Sequence, residues 1–207
     1  SRVMTSMQTE TAPANPAAAP SAPPEAAPDP RYGPIGFWKQ LAEDYRRHDG
    51  KISKPGLHAV VVYRFGHRIL SMPAIFRIPL KIIYKPMHWF VRNFYGIELP
   101  ETTRVGRRFR IGHQSGIVIH HHAEIGHDCL VRQNCTIGAG SDSFADKGPV
   151  LGNGVEMGAG SVIIGPVKIG DNVRIGPNAV VMTNVQAGSI VIAPPPRIIP
   201  PAKPKQT

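Results

Sequence analysis

Residues 151–181 read LGNGVEMGAGSVIIGPVKIGDNVRIGPNAVV, and this stretch decides the fold. An aliphatic side chain returns at every sixth position, at Leu151, Met157, Ile163, Ile169, Ile175 and Val181. A helix repeats every ~3.6 residues and a strand every ~2, so this spacing is an internal repeat instead. A six-residue repeat predicts short strands joined by tight turns, with three faces per coil, stacked as a parallel β-helix.

The same period runs through the preceding part of the chain. It recurs at Val105, Ile111, Ile117, Ile125, Val131 and Ile137. Small residues stand two positions before many of these aliphatics, and they include Cys129 and Cys135. An inward corner of a narrow prism has room only for small side chains, because protein interiors are close-packed. We therefore interpret the two cysteines as packed residues rather than as a disulfide framework or a redox pair.

The period is interrupted at two places. Two extra residues occur around His120–His122, and a longer insertion spans residues 139–149. A solenoid accommodates insertions as loops on its outer face, where functional residues are often found. We expect the second loop to shape an acceptor site or to cover a neighbouring subunit.

Composition divides the chain into four regions. Residues 1–33 are rich in Ala and Pro and predict a disordered tail without the apolar segment of a secretory signal. Residues 34–95 are expected to form a small α-helical region, and residues 96–200 a β-helix domain that carries the activity. Residues 201–207 form a C-terminal tail. No run of about eighteen apolar residues occurs, so no simple membrane-spanning helix is expected.

Helical periodicity is evident in the second region. Residues 36–48 predict an amphipathic helix, and residues 57–70 predict another. The shared apolar face of the first helix is expected to comprise Phe37, Trp38, Leu41 and Tyr45. The histidines of this region, His58, His67 and His88, are interpreted as packed or capping residues.

Residues 74–94 are apolar and aromatic but contain Pro79 and Pro86. Proline removes a backbone donor and clashes with the preceding turn, so this stretch predicts short, angled helices. Its aromatic residues, Trp89, Phe90, Phe94 and Tyr95, are expected to serve core or subunit packing. The alternative is contact with a membrane surface, since basic residues lie nearby.

The chain carries a formal net charge of +10. A basic excess indicates anionic partners rather than a particular fold. No aromatic-basic stacking motif or recognition element for nucleic acid occurs, so no nucleic-acid partner is expected. The alternatives are a phosphate-bearing cofactor or substrate, an anionic membrane surface, or simply a solvated surface.

The strongest catalytic candidate is His113. It follows Ile111 by two residues, in a glycine-flanked polar turn that exposes it to a groove. Imidazole is a natural general base near neutral pH, and a carboxylate can fix its tautomer and stabilise the imidazolium. Glu98 stands fifteen residues upstream, close to one coil below, so we expect it to face His113.

Several stretches resemble the serine acetyltransferase family. They are Lys54–Ala59, Tyr63–Arg68, Gly96–Pro100, Arg104–Arg108 and Ile111–Ile119, in order along the chain. The resemblance covers roughly residues 36–200. It implies a left-handed parallel β-helix that assembles as a homotrimer, with acetyl-CoA between neighbouring prisms. It also implies that His113 deprotonates an acceptor hydroxyl for direct attack on the thioester, with Glu98 at the position of the family's aspartate.

The resemblance also suggests which residues contact the cosubstrate and the acceptor. The positions matching the family's acetyl-CoA site are Gly158, Ala159, Gly160, Gly176, Pro177, Ala193, Pro195 and Arg197. The candidate acceptor-binding residues are Asp49, Gly112, Gln114, His121 and Lys147. No catalytic metal is expected, although the His120–His122 cluster with His127 leaves a zinc site as an alternative.

Two departures from the family concern the acceptor. Gly112 stands where serine acetyltransferases carry an aspartate, and Lys147-Gly148 replace an arginine-histidine pair. Because a zwitterion is recognised by paired charges, these changes argue against serine. Gly152–Gly158, together with Gly106–Phe109, resembles the exopolysaccharide branch typified by colanic acid biosynthesis acetyltransferases.

The sequence therefore predicts a cytoplasmic O-acetyltransferase acting on a sugar hydroxyl in exopolysaccharide biosynthesis. A lipid-linked acceptor would bring it into peripheral contact with the inner membrane. The alternatives are a serine O-acetyltransferase of cysteine biosynthesis, a zinc-dependent β-helix lyase and a non-catalytic scaffold.

Overall fold

The protein is described by a computed structural model that covers residue 33, residues 35–141 and residues 146–198. The predicted tails fall outside these ranges, apart from residue 33, and so do residues 142–145 of the long insertion.

Three helices open the described part of the chain. They are α1 (Phe37–Arg47), α2 (Pro55–Leu70) and α3 (Ala74–Tyr95). Helix α2 starts with a proline at its first position, where a missing N–H costs no intrahelical bond, and α3 ends at Gly96 in the left-handed conformation. The first two helices lie within two residues of the bounds that the sequence predicts.

The prediction of short, angled helices over residues 74–94 is wrong. Helix α3 is continuous over 22 residues with Pro79 and Pro86 inside it. Each proline deprives the carbonyl four residues earlier of its partner, and those carbonyls belong to Ile75 and Ile82, which are 76% and 70% exposed. Since water can reach these residues, both prolines are tolerated.

The predicted inner face of α1 is also wrong in part. Trp38 is 80% exposed, and the only buried residue of α1 is Asp44. The reason is a buried ion pair: the Arg64 Nε of α2 donates to Asp44 Oδ2 at 2.9 Å. An amphipathic pattern assigns a carboxylate to the solvent side, so it does not reveal such a pair.

After α3 the chain winds into a three-faced parallel β-helix. The described strands are β1 (Ile97–Glu98), β2 (Arg104–Val105), β3 (Arg110–Ile111), β4 (Ile117–Ile119), β5 (Glu124–Ile125), β6 (Leu130–Val131), β7 (Thr136–Gly138), β8 (Val150–Leu151), β9 (Glu156–Met157), β10 (Val162–Ile164), β11 (Lys168–Ile169), β12 (Arg174–Ile175), β13 (Val180–Val181) and β14 (Ile190–Val191). Face A is β1-β4-β7-β10-β13, face B is β2-β5-β8-β11, and face C is β3-β6-β9-β12-β14.

Each six-residue repeat forms one face of a coil, and three repeats complete the coil. The repeating aliphatics point inward and are buried, apart from the half-buried Val105, and the small residues two positions earlier, Cys129 and Cys135 among them, are buried too. The packing interpretation of the cysteines is therefore confirmed. Several corners are turned by an asparagine with positive φ, namely Asn134, Asn172 and Asn178 at 57–58°. Asparagine tolerates this left-handed conformation better than most side chains.

The outward residues differ between the faces. On face A the row is Glu98, Val118, Thr136, Val162 and Val180. On face B it is Arg104, Glu124, Val150 and Lys168. Above Glu98, face A therefore carries three valines and a threonine and no charge, whereas face B is mostly charged.

Helix α2 covers the open edge of the first coil. Tyr63 Oη donates to Thr103 O at 2.7 Å, and Arg64 donates to the carbonyls of Val105 and Gly106 at 2.7 and 2.5 Å. An uncovered strand edge would leave these backbone groups without partners. Arg64 therefore joins Asp44 of α1 to the first coil of the β-helix.

We expect Asp44→Asn to lower the free energy of unfolding by about 3–5 kcal/mol, because it leaves the buried Arg64 charge without its counter-ion. The measurement is urea unfolding followed by circular dichroism. The matched control is Glu124→Gln, which breaks the exposed pair with Arg104 at 2.7 Å and should cost about 0–1 kcal/mol. Equal losses in the two variants would contradict this account.

Candidate active site

The corner between faces C and A forms a continuous column of backbone turns. Gly112 N donates to Val131 O at 2.9 Å, Gly158 N to Ile175 O at 2.7 Å, and Gly176 N to Val191 O at 2.7 Å. The turn that carries His113 is thus the lower end of the column, and the later turns stack above it. Within a single chain, a ligand bound along this column would have one end at His113.

His113 is exposed and lines a cleft of about 380 Å³. The other lining residues are Ser53, Lys54, Pro55, Gly56, Gly112 and Gln114. The start of α2 is fixed against β3, because a side chain at Gly56 would meet the Ile111 carbonyl at 2.3 Å. This close approach places Lys54 beside the histidine.

Asp49 lies next to this cleft, in the turn between α1 and α2. Its carboxylate binds Lys54 Nζ at 2.5 Å and accepts two hydrogen bonds from Arg110, at 2.9 and 3.1 Å. The bond from Lys54 is the largest influence that holds the pKa of Asp49 below its usual range, so the carboxylate is charged near neutral pH. Of the predicted acceptor-binding residues, Gly112 and Gln114 line the cleft of His113, and Asp49 is joined to this cleft through Lys54.

His48 supports the cleft through β3, and no motif or period in the sequence singles it out. It is fully buried: Nδ1 donates to Asp44 O at 2.7 Å, and Nε2 accepts from Ile111 N at 3.3 Å. This pair of bonds requires the neutral ring, and burial lowers the pKa of His48. His48 therefore fixes the backbone two residues before His113.

The buried neutral ring predicts a loss of stability in mild acid. The unfolded chain takes up a proton on His48 near its usual pKa of about 6.5, whereas the folded chain resists it. The contribution is thus present above pH ~6.5 and lost as the pH falls through the lower folded pKa. We expect the urea midpoint to fall between pH 7 and pH 5, and to fall less in His48→Gln. If the urea midpoint of His48→Gln falls as much between pH 7 and pH 5 as that of the wild type, the assignment is contradicted.

Glu98 occupies the outward row of face A. Its Oε2 forms an ion pair with Arg92 Nε at 3.2 Å, and within the described residues no hydrogen bond joins Glu98 to His113. The side chains of Arg92 and Glu98 are 57% and 36% exposed, so this ion pair contributes little stability.

His121 and Lys147 lie in a different cleft, at the corner between faces A and B. This cleft measures about 570 Å³, and Arg104, His122, Asp146 and Lys168 also line it. Gly148 packs against the chain here, because a Cβ there would lie 2.5 Å from the backbone of His122 and Ala123. A side chain at position 148 would therefore require this backbone to move.

The histidine cluster has its own contacts. The rings of His120, His121 and His122 lie side by side, with centroids 4.2 Å apart along the series. His127 Nδ1 accepts from Arg107 N at 2.9 Å, and burial is the main cause that lowers its pKa. Within the described residues, no group of three or more His, Cys, Asp or Glu is arranged to hold a metal ion.

Of the predicted cosubstrate residues, those from Gly158 to Pro177 lie in the turns stacked above His113 in the same corner. Gly160 N donates to Gln133 O at 3.0 Å, and Asn178 N donates to Ala159 O at 2.9 Å, which stacks these turns on one another. A side chain at Gly158 would meet Pro177 N at 2.7 Å, so this column has room for a backbone contact only. Ala193 packs against the core, whereas Pro195 and Arg197 are exposed in the C-terminal segment.

Comparison with known proteins identifies the family. A model described as bacterial transferase hexapeptide (six repeats) matches residues 148–183. The serine acetyltransferase of Helicobacter pylori strain J99 is 34% identical over 138 residues, which cover 67% of this chain and 77% of that protein. The chain belongs to the serine acetyltransferase family. It is therefore an acyltransferase.

Other members of the family agree with this placement. The serine acetyltransferase of Mycobacterium tuberculosis H37Rv is 32% identical over 70% of this chain and 61% of its own length. The crystal structure of serine acetyltransferase isoform 3 from Entamoeba histolytica, in complex with cysteine, superimposes with a TM-score of 0.67 at 26% identity. That match covers 80% of this chain and 62% of the other, and the fold is the left-handed parallel β-helix that the sequence predicts.

The prediction of a sugar acceptor in exopolysaccharide biosynthesis is wrong. The matched relatives, at 29–34% identity, are serine acetyltransferases, and the matched structures carry the same name. The prediction gave too much weight to Gly112 and Gly148, two positions of a match that extends over 138 residues. Loss of one charged contact leaves other charged groups, here Lys54 in the cleft of the histidine and Asp49 bound to Lys54.

Proposed function

We propose that this protein is a serine O-acetyltransferase, which moves the acetyl group of acetyl-CoA to the hydroxyl of L-serine. The observation that carries the proposal is the position of His113, in a cleft with Lys54, which in turn binds the charged Asp49. The cleft combines a general base with the paired charges that an amino acid requires. The serine acetyltransferases that match the chain support the same reaction.

His113 is the proposed general base. It takes the proton of the serine hydroxyl as that oxygen attacks the thioester carbonyl carbon, and a tetrahedral intermediate forms. The carbon–sulfur bond then breaks, and the imidazolium returns the proton to the departing sulfur of CoA. No acetyl-enzyme is formed, so the two substrates must be bound together.

Glu98 is the proposed orienting residue for His113. It is held by Arg92 in an exposed ion pair that contributes little, so the carboxylate can exchange this partner for an imidazolium. The charge that develops on His113 in the transition state favours this exchange.

The proposed serine site uses Asp49, Lys54 and Gln114 around the hydroxyl-activating histidine. The carboxylate of Asp49 suits the serine ammonium, and the Lys54 ammonium suits the serine carboxylate. These two groups now bind one another, and a zwitterion can insert between them with both charges paired.

Acetyl-CoA is the proposed cosubstrate along the column above His113. Its binding would involve the turns at Gly158–Gly160 and Gly176–Pro177 together with Ala193, Pro195 and Arg197. Exposed backbone groups in these turns suit the pantetheine amides, and Arg197 suits a phosphate.

We propose a homotrimer whose axis is lined by face A. Its outward row above Glu98 is uncharged and mostly apolar, with Val118 and Val180 44% and 61% exposed. Burying this row would bring the His113 corner of one subunit towards the His121 and Lys147 cleft of the next, because these corners bound face A on its two sides. His121 and Lys147 would then reach the acceptor from the neighbouring subunit.

This proposal assigns a role to each region of the chain. Residues 34–95 are the helical support, and residues 96–200 are the acetyltransferase domain. Acetyl-CoA is a cytoplasmic metabolite, so the cytoplasm is the proposed location.

The proposal is tested by thiol release from acetyl-CoA with L-serine, D-serine and L-threonine as acceptors. We expect saturable release with L-serine. Release that is the same without any acceptor, or that needs a different hydroxyl compound, would contradict the proposal.

Gly112→Asp is expected to lower the KM for L-serine about tenfold, because it adds a carboxylate next to His113 for the serine ammonium. A Cβ at this position meets nothing closer than 3.6 Å, so the fold can accept it. The matched control is Gly112→Asn, which has the same size without the charge and should leave KM nearly unchanged. Equal effects of the two variants would show that charge is not the cause.

A further inference from the structure

Helix α3 presents an apolar surface to solvent along its whole length. Its inner stripe packs on α2 through Tyr84 and Val91, which are 3% and 5% exposed. The opposite side carries large apolar side chains that are 43–76% exposed, including Ile75, Ile78, Ile82, Trp89, Phe90 and Phe94. Isolated exposed apolar residues are common, but a continuous surface of this kind marks an interaction site.

The shape of this surface follows from the helical spacing. At about 100° per residue, the exposed apolar side chains cover roughly 200° of the helix circumference, interrupted only by Asn93. The helix is about 33 Å long, from 22 residues at about 1.5 Å each. None of the described helices is long and apolar enough to cross a membrane.

Charge is distributed along one edge of the apolar surface. Lys85 and Arg92 border it, Lys81 and Arg77 follow towards the inner stripe, and α3 contains no acidic residue. Nearby carboxylates are already engaged: Glu98 binds Arg92, and Glu101 accepts from Tyr84 Oη at 2.9 Å. A second copy of α3 would therefore bring more positive charge to this surface without acidic groups to neutralise it.

We propose that α3 is a membrane-contact helix, which lies in the interface of an anionic phospholipid bilayer. Its isoleucine, phenylalanine and tryptophan side chains would enter the boundary between headgroups and acyl chains. Its basic edge would meet the anionic headgroups. A broad apolar face with aromatic residues and flanking basic residues suits such a surface, and both attractions act together.

The test uses the full chain and vesicles of phosphatidylcholine, with and without phosphatidylglycerol. We expect the protein to sediment with the anionic vesicles, to bind neutral ones more weakly, and to dissociate as salt is raised. The variant Ile82→Ser/Trp89→Ser should reduce binding about tenfold or more, because burial of these side chains is the main attraction. The matched control Met182→Ser/Ile198→Ser removes two exposed apolar residues elsewhere and should bind normally.

Fluorescence gives a second measurement of the same contact. The chain has two tryptophans, Trp38 and Trp89. In a Trp38→Phe variant, emission from Trp89 should shift to shorter wavelength when anionic vesicles are added.

Several results would contradict the membrane-contact proposal. Absence of vesicle binding, or equal binding by the α3 variant and the control, would overturn the proposal. A fall in the mass of the lipid-free protein caused by Ile82→Ser/Trp89→Ser would show that a second copy covers α3 instead. Neither measurement requires acetyl-CoA or serine, so the outcome is independent of the proposed acetyl transfer.

Discussion

Replacement of His113 by asparagine is expected to lower kcat for acetyl transfer to L-serine by roughly 10²–10⁴-fold, the usual contribution of a general base. Asparagine fills similar space and forms hydrogen bonds, but it cannot accept the hydroxyl proton. The Kd of acetyl-CoA should change little, because its proposed contacts lie in the turns above His113. Thiol release measures the first quantity and calorimetric titration the second.

The control for this experiment is His67→Asn. His67 is an exposed histidine whose Nδ1 hydrogen-bonds to Glu101 O at 2.8 Å, outside the cleft of His113. Its replacement should leave kcat near the wild-type value. If His113→Asn retains full activity, or if it loses acetyl-CoA binding and activity together, His113 is not the base.

A double change on face A, Val162→Glu/Val180→Glu, is expected to convert the proposed trimer to single chains. The two positions are neighbours in register and point outward, so the fold of each chain should survive. Around a threefold axis, six carboxylates would meet in an apolar interface, which disfavours assembly strongly. Turnover should fall roughly 100-fold or more, because separated chains no longer enclose the substrates between two clefts.

The mass of the assembly, measured by light scattering, decides this prediction. The control is Ile190→Glu, which introduces the same charge at a 68% exposed position on face C and should leave the mass unchanged. A double variant that retains the mass of the wild type would place the subunit interface elsewhere. A single chain with full activity would show that one subunit contains the complete site.

Much of the fold could be predicted because the β-helix is a local pattern. The six-residue period requires only that each aliphatic residue points inward, and the packing of Cys135 and Ile163 follows directly. The contacts within the helical region are harder to predict from the sequence. Asp44 and Arg64 form a buried pair across twenty residues of sequence, and neither periodicity nor composition indicates which charged residues will meet.

The residues of the candidate site likewise fall into those that the sequence indicates and those that it does not. His113 could be found because its polar, glycine-flanked turn interrupts an apolar repeat. His48 and Lys54 could not, since they reach the site through the packing of the helical region on β3. The acceptor was predicted wrongly because Gly112 was interpreted only as the loss of a carboxylate. The charged groups next to it come from another part of the chain.

The most direct test of the account is identification of the product by NMR. Acetyl-CoA labelled with ¹³C in the acetyl group is incubated with L-serine and the protein, and with the His113→Asn variant in parallel. We predict that the wild-type protein transfers the label to the serine oxygen and yields O-acetyl-L-serine, while the variant yields almost none in the same time. Label that stays on CoA, or that passes to serine equally with both proteins, would contradict the assignment of this corner as the active site.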